Sequence, residues 1–284
     1  MPVAIVTDST AYLAPATVRA TQAVVVPLQV VVAGRAYDEG VDIDSRAVAA
    51  ALRSRTPVTT SRPSPQAFLD TYVRLADAGA EAIVSLHISA RMSGTCESAL
   101  LAAKESPVPT RVVDSRSLGM GLGFLVTAAA AAARRGASVD DVVSEAQARA
   151  LATRVYFYVA TLEHLRRGGR IGAATALLGS ALAIKPLLVL EDGHIAPLEK
   201  VRTRARALAR LEELAIAAAR APGAGLVDLA VQHLDAATAA QALAGRLRTA
   251  LPGCGELVVG EVGAVVGAHV GPGMLAVVIS PRAP

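Results

Sequence analysis

Short apolar runs alternate with amphipathic stretches through the first half of the chain. "VAIVTD" reads as a buried strand ending at Asp8. "AVVVPLQVVV" predicts another strand, with a proline that favours an edge or irregular position. "DIDSRAVAAALRS" has helical texture, with Asp44 or Ser45 near its start. In "SRPSPQAFLDTYVRLADAGA", Ser64 can cap a helix, Pro65 suits its first position, and Phe68, Tyr72 and Leu75 share a face. The glycine of "DAGA" stops that helix. Strand "EAIVSLHIS", helix "TCESALLAAKE", strand "TRVVDS" and helices "LGMGLGFLVTAAAAAARRG" and "SVDDVVSEAQARALAT" follow. This recurrence predicts a mostly parallel α/β domain with flanking helices.

The texture changes after about residue 154. "RVYFYVATLEHLRRGG" begins with a strand. "PLLVLEDGHIAPLEKVRT" reads as two strands about a "DG" turn. "RARALARLEELAIAAAR" and "AATAAQALAGRLRTAL" are helical, and "GLVDLAVQHL", "ELVVGEVG" and "MLAVVIS" are strands. The second half therefore predicts an α+β domain with an antiparallel component. The expected fold class is α/β with two domains, residues 1–154 and 155–284.

Composition narrows the function. Of 284 residues, 53% are hydrophobic, enough for a real core, but only 3% are aromatic. Stacking on nucleic-acid bases is poorly provided for. The net charge of +4 is a mild excess with no basic tail, so nucleic acid is not expected as a partner. Cys96 and Cys254 form no CxxC motif, and a reduced cytoplasmic setting is the simpler expectation. "MPVAIVTDST" lacks a signal-like pattern. "GLGFLVTAAAAAA" is too short to span a bilayer comfortably, and Lys185 and Pro186 interrupt "IGAATALLGSALAIKPLLVL". A soluble chain with at most transient membrane contact is expected.

Small polar residues gather where strands end, at "TDST" 7–10, "TTSRPS" 59–64, "HISARMSGT" 87–95 and "DSRS" 114–117. In an open α/β sheet the carboxyl ends of the strands line a crevice, and the helices that follow present free N–H groups to an anion. The four segments can converge on a carboxylate or phosphate. Ser93 taken alone equally suits a cap or turn. His269, in "GAHVGPGM", can donate to an anion, act as a base, or be a satisfied structural histidine.

Other chemistries have weaker support. Ser93, His269 and either Asp8 or Asp114 can make a hydrolase triad acting on a lipid-like ester, but "ARMSGT" is not the G-x-S-x-G elbow. "GMGLGF" is GxGxG rather than GxGxxG, and no GK[ST] loop is present, so no ATP site is evident. Its glycines suit close helix packing. The five histidines lack metal-ligand spacing. Among the basic residues of "HLRRGGR" and "EKVRTRARALAR", most read as a solvated face. A subset can dock an acidic protein or receive an anionic headgroup.

In order along nearly the whole chain, "VTDSTAYL", "TTSRPSPQAF", "HISARMSGTCESAL", "VVDSRSLGMGLG", "LEHLRRGGRIG", "LLGSALAIKPLL", "GHIAPLEKVRTRARAL" and "GAHVGPGMLAVV" resemble the DegV family of bacterial fatty-acid-binding proteins. The resemblance implies one long-chain fatty acid at a ligand site between the two domains, with its acyl chain in an apolar tunnel. Thr60, Ser61, Ser93 and His269 match positions that hold the carboxylate. Arg202 matches an arginine linked to docking a separate fatty acid kinase. That partner would supply ATP and magnesium and form the acyl phosphate. This chain would be a lipid-binding subunit without cofactor or catalytic residue of its own. Arg62 stands where the family often has glutamine, and would contact the headgroup or the partner.

Overall fold

A computed structural model describes residues 2–177 and 184–282. The first half begins with β1 (Val3–Asp8), a 3₁₀ turn over Ser9–Ala11, α1 (Pro15–Thr21), β2 (Val24–Val26), β3 (Gln29–Val32), β4 (Arg35–Asp38) and α2 (Ser45–Arg53). It continues with β5 (Val58–Ser61), α3 (Pro65–Asp77), β6 (Ala82–His87), α4 (Thr95–Ala103), β7 (Thr110–Asp114), α5 (Met120–Arg134) and α6 (Val139–Ala152). The second half runs β8 (Arg154–Tyr158), α7 (Glu163–Arg167), β9 (Lys185–Glu191), β10 (His194–Val201) and α8 (Arg204–Ala219). It ends with β11 (Val227–His233), α9 (Ala237–Ala250), β12 (Leu257–Glu261), α10 (Ala264–Val270) and β13 (Leu275–Pro281).

Several helix starts follow directly from their capping residues. Asp44 accepts from Ala47 N–H at the start of α2, and Ser64 accepts from Ala67 N–H with Pro65 behind it. Helix α3 ends at Ala78, followed by Gly79 at φ +91°. Asp192 and Gly193, both at positive φ, make the turn between antiparallel β9 and β10.

The first sheet, in the order β2-β1-β6-β7, is parallel throughout. Alternation along its strands builds two core layers. Val3, Ile5, Val84 and Leu86 face α5 and α6, while Val6 and Ile83 face Phe68, Tyr72 and Ala99 on α3 and α4. The second sheet, β10-β9-β8-β13-β11-β12, is antiparallel except for the β11–β12 pair. Helices α8 and α9 cover one of its faces. Helix α5 is buried on nearly every side because Met120 and Phe124 also reach the second sheet. Its alanines and glycines allow that close approach: a Cβ on Gly123 would stand 2.8 Å from the carbonyl oxygen of Ala11.

"AVVVPLQVVV" differs from the expected single strand. It breaks at Pro27 into β2, in the first sheet, and β3, in a separate antiparallel sheet ordered β4-β3-β5. Proline supplies no N–H for a continuing ladder. This small sheet and α2 pack on α10 through Leu28, Val30, Val48, Ala264, Val265 and Ala268. A piece of the first half thus clasps a helix of the second. Elsewhere the halves are joined by a buried ionic cluster. Arg149 of α6 donates to Asp228 (2.5 Å) and Ser280 (2.9 Å), and Arg282 binds both oxygens of the same aspartate. Burial works to raise the Asp228 pKa, but donation from Arg282, Glu256 N–H and Arg149 outweighs it and holds the carboxyl below its ordinary value.

Candidate functional site

Strand β5 brings Thr60 and Ser61 to the rim of a cavity before the chain turns away at Arg62 and Pro63. The turn after β6 winds tightly. Met92 and Ser93 N–H both donate to the carbonyl of Ser89, at 3.0 and 3.1 Å, which presents Ser93 immediately before α4. Ser93 is not the helix cap: Gly94 holds that position, and Ser93 Oγ pairs with Thr95 Oγ1 at 2.8 Å. Helix α10 supplies His269 from the opposite side.

These residues converge on one cavity of about 300 Å³ between the two halves. Thr60, Ser61, Arg62, Ser93, Arg170 and His269 make its polar portion. Its remaining wall includes Leu28, Ile88, Leu118, Leu165, Ile195 and Val266. Several of these belong to an apolar cluster under the second sheet. The described part of "LLGSALAIKPLL" adds Leu177 and Ile184 to that cluster, while residues 178–183 lie outside the described residues.

His269 Nε2 lies 2.8 Å from Thr60 Oγ1. Its Nδ1 is buried without a hydrogen-bond partner among the described residues. The ring packs on Gly168, where any Cβ would overlap Nδ1. The fit is reciprocal, because a Cβ on Gly271 would overlap the His164 imidazole. Burial, followed by repulsion from the Arg170 guanidinium, pulls the His269 pKa down to about 4. The imidazole is therefore neutral near pH 7.

Positive charge at the site comes from arginine. Arg170 donates through Nε to the carbonyl of Met92 (3.1 Å) and through Nη1 to that of Gly168 (2.6 Å), tying the Ser93 turn to α7. Sequence patterning read "HLRRGGR" as largely a solvated face and did not separate Arg170 from its neighbours. Its value comes from a carbonyl 78 positions away. Arg62 lies across Gly94, donating to its carbonyl (3.3 Å) and to Glu97. The arrangement can hold an amphipathic anion: hydroxyl donors and guanidinium groups meet the charged end, and aliphatic walls receive the rest.

Two of the four polar strand ends do not line this cavity. Asp8 accepts from Thr10 and Ile88 N–H and faces His87 at 3.1 Å. Asp114 accepts from Ala90 and Arg116 N–H. Among the described residues no carboxylate bonds His269, so neither aspartate completes a triad with Ser93. An Asp8–His87–Ser85 chain does exist, but all three residues are fully buried and Ser85 also receives the Tyr72 hydroxyl. Substrate has no route to that serine.

A family model described as "Uncharacterised protein, DegV family" matches residues 2–282. The chain belongs to the DegV family. A DegV domain-containing protein of Streptomyces coelicolor is 58% identical over 280 residues, covering 99% of both chains. A DegV family protein from Thermus thermophilus, described for its fatty acid binding, superposes with a TM-score of 0.93 at 34% identity, covering 99% of this chain and all of that one. DegV of Bacillus subtilis, described as a fatty acid binding protein, gives 0.90 at 32% identity, again over 99% of this chain and 100% of the other.

The DegV architecture is the two-domain α/β fold expected from the strand and helix pattern, with a parallel first sheet and an α+β second domain. In this DegV chain Arg202 is exposed just before Thr203, the N-cap of α8, and it does not line the cavity. Among the described residues no cluster of three or more metal-ligating side chains occurs, and no helix is long and apolar enough to cross a membrane.

Proposed function

We propose that this DegV protein binds one long-chain fatty acid, with the carboxylate at the polar end of the cavity and the acyl chain along its aliphatic wall. The observation that carries the reading is the convergence of Thr60, Ser61, Arg62, Ser93, Arg170 and His269 on one cavity whose remaining wall is mostly Leu, Ile and Val. The fatty acid binding described for the Thermus and Bacillus relatives supports the same ligand class. In this reading the site lies between domain 1–154 and domain 155–284.

The chemistry is consistent with each group's state. Neutral His269 donates from Nε2–H to Thr60 Oγ1, the tautomer we assign. That frees the Thr60 hydroxyl proton to point at a carboxylate oxygen. Ser61 and Ser93 add neutral donors. Arg170 supplies the opposing charge, and Arg62 adds a second when it leaves Glu97. Each buried methylene contributes about 0.8 kcal/mol, so ten supply about 8 kcal/mol before ordering costs.

The chain acts as a substrate-presenting subunit, and a separate ATP- and magnesium-dependent fatty acid kinase phosphorylates the bound carboxylate. Exposed Arg202, outside the cavity, is the docking residue for that partner. Arg202→Ala would then lower kinase-dependent turnover while sparing lipid retention. Equal loss of both would refute the assignment.

Native mass spectrometry after mild purification tests the ligand reading. A co-purifying fatty acid, or uptake of added oleate or palmitate, is expected. Repeated absence of both would overturn it. A self-contained serine hydrolase would instead turn over esters alone and form a covalent adduct at Ser93, whose Oγ here partners Thr95 rather than His269.

A further inference from the structure

Helix α10, which carries His269, has no cap of its own: Gly263 precedes it and offers no side chain. Its first amides are satisfied from the other half of the molecule. Val265 N–H donates to Glu39 Oε1 at 2.7 Å, and Val266 N–H donates to the Tyr12 hydroxyl at 3.2 Å. The Tyr12 hydroxyl in turn donates to Glu39 Oε1 (3.2 Å), and Ser9 Oγ donates to Glu39 Oε2 (2.5 Å). Glu39 is only 5% exposed, and a Cβ on Gly263 would overlap both its carboxylate and the Tyr12 ring.

A buried carboxylate is a costly way to cap a helix. A serine, aspartate or asparagine at the N-cap would do it locally. The cap comes instead from a residue 226 positions earlier. Glu39 immediately follows β4, and β4 shares its small sheet with β5, the strand that carries Thr60. Tying α10 to Glu39 therefore ties it to the sheet bearing Thr60. Val265 and His269 lie one turn apart on α10, and both line the cavity.

We propose that Glu39, assisted by Tyr12, is a positioning residue for the headgroup site, setting His269 against Thr60 by clamping α10 to the Thr60-bearing sheet. The proposal rests on the reading of this cavity as a carboxylate site. Burial raises the Glu39 carboxyl pKa, with Asp8 adding to the rise and donation from Ser9, Val265 and Tyr12 opposing it. A neutral amide should consequently substitute well.

The test uses the full-length protein and two readouts, the ring-nitrogen NMR titration of His269 without lipid and the affinity for oleate. In Glu39→Ala the His269 pKa should climb from about 4 towards its ordinary 6.5 as water reaches the ring, and the oleate Kd should rise roughly tenfold. In Glu39→Gln both should stay near wild type, within about twofold in Kd, because the amide oxygen still accepts from Val265. A folded Glu39→Ala with unaltered titration and affinity overturns the proposal, as does a Glu39→Gln equally damaged in both. If Glu39→Ala fails to fold, Tyr12→Phe and Gly263→Ala carry the test. Smaller shifts in the same direction support the clamp, and no shift in either variant overturns it. Should the wild type take up no oleate, the carboxylate reading falls while the His269 titration still decides the role of Glu39.

Discussion

Thr60 and His269 meet at 2.8 Å from opposite halves of the chain, 209 positions apart, and both line the cavity. Replacing Thr60 with valine keeps the β-branched shape that suits β5 and removes only the hydroxyl. The loss of a carboxylate donor and the stranding of Nε2 should cost about 1–3 kcal/mol of lipid affinity. Titration calorimetry with oleate is the check, and a Thr60→Val protein with wild-type affinity would show that the hydroxyl does not meet the headgroup.

Acid should weaken the native state through His269. Its folded pKa of about 4 lies below the ordinary 6.5, so between those values the unfolded chain binds a proton that the native chain refuses. The stabilisation from neutral His269 is fully present above pH 6.5, falls as pH drops through the window, and reaches its floor near pH 4. Urea unfolding of wild type and His269→Asn from pH 7.5 to 4 should show the wild type losing more. Bound carboxylate should move the His269 pKa upward, since an opposite charge favours the protonated ring.

Gly168 is required by its neighbour rather than by its own backbone. Gly168→Ala would push the imidazole of His269 off its seat, and it should weaken oleate binding about tenfold. Gly245→Ala is the control. It sits in α9 with open space at the Cβ position, and it should stabilise the protein by about 0.8–1 kcal/mol without altering lipid affinity. Parallel melting curves and binding isotherms distinguish a steric effect at the site from general destabilisation.

Asp228→Asn leaves Arg149 buried without its counter-charge and should destabilise by about 3–5 kcal/mol. Arg282→Ala, whose side chain is 46% exposed, should cost about 1 kcal/mol or less. Similar losses in the two variants would refute this ranking.

Much of the fold was legible because its signals are local. Ser64 and Pro65 mark the start of α3, the positive-φ pair Asp192–Gly193 marks the hairpin, and short continuous apolar runs mark the central strands of the first sheet, which is buried on both faces. The small sheet was not legible. Strand β5 is the four residues "VTTS", whose apolar content is too low to stand out. The site divided along the same line. Thr60, Ser61 and Ser93 sit in polar clusters at strand ends, where helix N-termini follow. Arg170 and Glu39 gain their roles from backbone atoms 78 and 226 positions away, a relationship no local pattern encodes.

The cluster about Asp228 bears on how this chain can be rearranged. The guanidinium of Arg149 is carried by the last helix of the first half, while Asp228 and Ser280 belong to the second. Grafting the first half onto a foreign partner would bury the Arg149 guanidinium unmatched unless the partner brought its own carboxylate, whereas Asp228 keeps Arg282 from its own half. The asymmetry makes the first half the dependent one: loss of Asp228 strands Arg149, while replacing the two together leaves no buried cation behind.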